Sequence, residues 1–81
     1  MKRLQRMIKS TEMRIEWKRE EIDRCMKEIK KCASSEYATD VATFMPGYVR
    51  SLNEALKQKE EYEEQLGMLR FLEEEQDSDE D

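Results

Sequence analysis

Residues 8–29 read IKSTEMRIEWKREEIDRCMKEI, and Ile8, Ile15, Ile22 and Ile29 stand seven residues apart without exception. A β-branched residue repeated at one heptad position through four heptads is the pattern of a coiled-coil-like helix. With the isoleucines at a, the d positions are Leu4, Thr11, Lys18, Cys25 and Cys32. The polar Thr11 and Lys18 weaken this second row. They argue against a long autonomous two-stranded zipper and for a seam that sets register or needs a further partner. Ser34-Ser35, after Lys30 and Lys31, ends the pattern, and lysines suit the negative end of a helix dipole. The first helix is therefore expected over about 3–33.

Downstream, SSEYATDVATFM (34–45) is the least charged stretch, and Pro46-Gly47 follows it. Proline disfavours helical geometry in the residue before it and fits the first turn of a new helix. The reading is a connector over 34–46, with Thr39 or Asp40 capping a short turn over Val41 to Phe44. A kinked continuous helix through Pro46 is the competing arrangement. Beyond the break, Tyr48, Leu52, Ala55, Lys59, Tyr62, Leu66 and Leu69 alternate spacings of four and three, which predicts a second helix over about 47–74. Val49 and Leu56 widen its stripe. Ser51 and Glu54 form an S-x-x-E capping box that would start the stable helix near Ser51. Residues 76–81 are expected to be a disordered acidic tail.

Charge separates the two halves. Residues 1–31 hold eleven Lys/Arg and six Asp/Glu, a net of +5, while residues 32–81 hold four and fourteen, a net of −10. Lys2, Arg3, Arg6 and Lys9 open the first helix, where the dipole favours anions, and glutamates close the second, where it favours cations. Antiparallel pairing sets each unfavourable end beside the other. The expected fold is all-α: one domain over 1–75, a hairpin of two long antiparallel helices that assembles into a dimeric four-helix bundle. A head-to-tail or antiparallel dimer would match the charges equally well.

Composition bounds the chemistry. The chain has 81 residues, 43% of them charged and only 14 of them Leu, Ile, Val or Phe, so a deep substrate pocket is not expected. It has no histidine, which removes the usual general base and the commonest neutral metal ligand. Paired carboxylates such as Glu20-Glu21 and Glu60-Glu61 would face water on a hairpin, without the dry pocket that acid–base work needs. Ser34, Ser35 and the cysteines have no base to activate them. Neither glycine belongs to a phosphate loop. A helical di-metal site would need a Glu-x-x-His motif that is not here. The expectation is no catalysis, no metal and no cofactor.

The cysteines, seven apart on one helix, would lie roughly 10.5 Å apart along its axis, beyond the reach of about 7 Å for an internal disulfide. They read as half-buried reduced thiols, with an interchain disulfide as the sharper alternative. No apolar run is long enough for a membrane span, and a secretory leader pattern is missing. A cytoplasmic chain is expected.

What remains is binding. The basic arm MKRLQRMIK is interrupted at helical spacing by Met1, Leu4, Met7 and Ile8, which reads as a packing face with a lysine rim, so direct nucleic-acid binding is disfavoured. Trp17, at position c, lies off the seam with Met13 one turn before it, and Met68 and Phe71 flank the second seam. These four form the expected partner-binding set of a non-enzymatic interaction module: a small adaptor, chaperone-like or regulatory protein. The partner is a foreign protein, a second copy in a homodimer, or both. The alternative is an acidic inhibitor of phage or plasmid type that mimics nucleic acid through Glu60, Glu61, Glu63, Glu64, Glu73, Glu74 and Glu75. The bland counterpart of that surface is a solvated helix face.

Overall fold

The structure is a computed structural model; it describes the backbone of residues 2–80 and the side chains of residues 2–75. Helix α1 spans Lys2–Ala33, a π-helical turn spans Asp40–Phe44, and helix α2 spans Met45–Glu80. There is no strand among the described residues. The two helices pack against each other along their length as a hairpin. The rod measures 65 × 14 × 14 Å, with a radius of gyration of 18.5 Å. A compact domain of this length would have a radius of about 12 Å, so among the described residues the core is the line where the helices touch.

That line is the heptad seam. Ile8, Thr11, Ile15, Cys25 and Cys32 are buried on α1, and Ala55 on α2. Leu4, Lys18, Ile22 and Ile29 complete the α1 stripe half-buried, as Tyr48, Leu52, Lys59, Tyr62, Leu66 and Leu69 do on α2. The polar seam residues are each accommodated. The Thr11 hydroxyl donates to the Met7 carbonyl at 2.8 Å, one turn back in the same helix. Lys18 and Lys59 lay their stems along the seam and turn their ammonium groups to Glu21 (3.0 Å) and Glu63 (2.9 Å) on their own helices. Among the described residues no buried side-chain nitrogen or oxygen lacks a hydrogen-bond partner.

α1 ends where the serines stand. The Ser34 N–H donates to Lys30 O and the Ser35 N–H to Cys32 O, at 3.0 and 3.2 Å. Ser35 then organises the bend, donating its hydroxyl to the Asp40 carboxylate and accepting the Tyr37 N–H at 3.1 Å. Thr39 precedes the π turn but makes no side-chain cap, so the cap expected there is not formed.

α2 differs from expectation at its start. Helical backbone runs from the π turn straight into Met45, so Pro46 lies inside the first turn of α2 and Ser51 in its interior; the Ser51–Glu54 capping box is not a helix start. In a regular α-turn the Pro46 ring would crowd the carbonyl four residues back, and proline has no N–H to give it. The Met45 N–H instead donates to Asp40 O, five residues back. This wider turn carries the chain past the proline without a break. At the other end the helical backbone continues to Glu80 rather than stopping near 74. The side chains of the expected acidic tail, 76–81, lie outside the described residues.

Candidate interaction surface

The relative placement of the helices follows from three contacts. Arg70 donates to Glu12 at 3.3 Å, the Arg14 guanidinium lies 5.9 Å from the Tyr62 ring centroid, and Cys32 shares a groove with Tyr48. Low numbers on α1 therefore meet high numbers on α2. With Leu52, Lys59 and Leu66 as a, and Tyr48, Ala55, Tyr62 and Leu69 as d, both Glu12 and Arg70 occupy e. The e flanks face each other on one side of the seam and the g flanks on the other.

The two flanks differ. On the e side, Glu12, Glu16, Arg19, Glu63 and Arg70 line a charged groove with Ile15 and Leu66 at its floor. Nearer the connector the same side exposes Met26, Val49 and Leu56. On the g side, Arg3, Arg6, Met7, Arg14, Gln65 and Leu69 line a groove that is basic on its α1 wall. Position c lies next to g on the helix surface, so Trp17 and Met68 belong to this side too. Trp17 is 58% exposed and Met68 61%, and Met7 and Leu72 are also exposed. The g flank thus carries an exposed tryptophan and three large exposed aliphatic side chains.

The four side chains expected to bind a partner are thus all exposed but not gathered. Trp17 and Met68 share the g flank. Met13 and Phe71 both occupy f, which puts them on the outer backs of α1 and α2, away from each other. Met7 and Leu72, at g, are exposed on the same flank as Trp17 and Met68. Their heptad position places them on this flank, once the facing flanks are known.

Of the acidic residues expected to mimic nucleic acid, Glu60, Glu61, Glu63, Glu64, Glu74 and Glu75 are exposed, with Glu63 paired to Lys59, and Glu73 occupies the half-buried seam stripe. Cys25 and Cys32 are free and buried in the seam. Among the described residues no group of three or more His, Cys, Asp or Glu side chains is placed to hold a metal ion, and no helix is long and apolar enough to cross a membrane. No protein-family model, curated protein or solved structure matches this chain.

Proposed function

We propose that the chain is a non-enzymatic protein-interaction module, a small adaptor or regulatory protein that works through the g flank of its hairpin. The observation that carries this reading is the exposed set Met7, Trp17, Met68 and Leu72 on one face of a rod whose two helices have little core of their own. Aromatic and methionine side chains at the centre of a flat surface supply binding free energy when a partner desolvates them. The grooves along the rod are open and shallow, which suits a helix or a flat protein surface better than a small molecule. The acidic-inhibitor alternative has a weaker support in Glu60, Glu61 and Glu64, which stand exposed on α2.

The reading is tested by placing a photo-crosslinking amino acid at Trp17 or Met68, with Glu60 as the control position, in cells expressing the full chain. Polypeptide adducts concentrated at 17 and 68 support it. Equal or stronger crosslinking at 60 overturns it in favour of the acidic face.

A further inference from the structure

The g flank carries more than apolar area. On α1 its c and g positions include Arg3, Arg14, Arg24 and Lys31 against Glu21 and Glu28, a net positive wall. On α2 the same positions include Glu54, Glu61 and Glu75 and no basic residue. The e side shows no such separation along α1, where Lys9, Arg19 and Lys30 are balanced by Glu12, Glu16 and Asp23. One flank of the rod is therefore net basic along its α1 edge and acidic along its α2 edge, with Trp17 and Met68 on those edges and Met7 and Leu72 between them.

We infer that this flank binds a second copy of the chain, with the two rods side by side, connectors at the same end, and α1 of each lying on α2 of the other. The inference rests on the proposed function and names its partner. Two ways of laying g flank on g flank have two-fold symmetry. If the axis crosses the rods, α1 meets α1 and the basic walls oppose each other. If the axis runs along the rods, basic α1 meets acidic α2, and opposite charges meet along both edges.

The second arrangement also fits in register. Within about one helical turn, Arg3 reaches the level of Glu75 of the partner subunit, Arg24 that of Glu54 of the partner subunit, and Ser10 that of Met68 of the partner subunit. Trp17, at the same heptad position as Arg3 and Arg24, then reaches the level of Glu61 of the partner subunit, on the same edge.

The experiment uses charge reversal in the full chain. One variant carries Arg3→Glu and Arg24→Glu, the other Glu54→Lys and Glu75→Lys, and solution mass and far-UV helicity are read for each alone and for an equal mixture. The expected result is a wild-type dimer, self-association more than about tenfold weaker in each variant, and dimers restored on mixing. If either variant loses helicity alone, its return together with doubled mass on mixing reads the same complementarity. Spin labels at Glu36→Cys, in a Cys25→Ala/Cys32→Ala background, then report the separation of the two connectors. The arrangement predicts a distance well under half the 65 Å rod length.

Three results overturn the inference: a wild-type monomer at every concentration, dimers of both variants that are as tight as wild type, or labels separated by most of the rod. The first leaves the flank to a foreign partner and the crosslinking reading intact. The other two place the self-interface elsewhere.

Discussion

Glu12 and Arg70, 58 residues apart in the chain, meet at 3.3 Å across the two helices. Both occupy e, so this one contact defines the antiparallel pairing and tells which flanks face each other. It does not hold the hairpin together. Both side chains are about half exposed, and ion pairs in that setting contribute between about 0.2 and 1 kcal/mol.

Glu12→Gln or Arg70→Gln is therefore expected to cost less than about 1 kcal/mol, measured by thermal unfolding, with unchanged helicity at 25 °C. A loss of several kcal/mol would mean that the pair, rather than the seam, organises the fold.

The seam should show a gradient. Ile15 is 6% exposed, while Ile29 is only half-buried. Truncation of a well-buried isoleucine costs about 2–5 kcal/mol, a large share of what so small a core supplies. Ile15→Ala should leave the chain largely unfolded at 25 °C, with Ile29→Ala milder by circular dichroism, and Ile15→Asp should abolish helicity. The reverse order would contradict the burial pattern.

The seam lysines should cost stability and contribute specificity. Lys18 and Lys59 hold positions where an apolar side chain would bury more surface, each tied to a glutamate on its own helix. Lys18→Met and Lys59→Met are each expected to raise stability by about 1 kcal/mol, at some loss of register definition. Thermal melts with amide exchange along both helices check both halves of this expectation. A lower melting point would show that the ion pairs outweigh the buried area.

Gly67 stands in the interior of α2, and a Cβ added there would meet nothing within 4 Å. Gly67→Ala should stabilise by roughly 0.5–1 kcal/mol through helix propensity alone. Position 67 is b, on the side away from the proposed self-interface, so solution mass should not change. Destabilisation would mean that the e-side groove needs the gap.

The stripe from Leu4 to Cys32 and that from Tyr48 to Leu69 were legible because helical periodicity depends on local geometry alone, and a seam needs one continuous face. The start of α2 was not. Pro46-Gly47 reads as a break, whereas the chain passes it with one wider turn whose mark is the bond from Met45 to Asp40, five residues back. No residue pattern announces such a turn. Of the four exposed side chains, Trp17 and Met68 share the g flank, while Met13 and Phe71 sit on the outer backs of α1 and α2, one turn from Trp17 and Met68 on their own helices. That Met7 and Leu72 share this flank requires knowing which flanks face, and that follows from the tertiary contact of Glu12 with Arg70.

The most direct test of the account is the solution mass of the unmodified chain, by light scattering on a sizing column at low and high salt. The account predicts a dimer, twice the 9.8 kDa of one chain, which weakens as salt screens the facing basic and acidic edges. A helical monomer of 9.8 kDa at both salts, across the accessible concentration range, would contradict self-association and leave Trp17 and Met68 to a different protein.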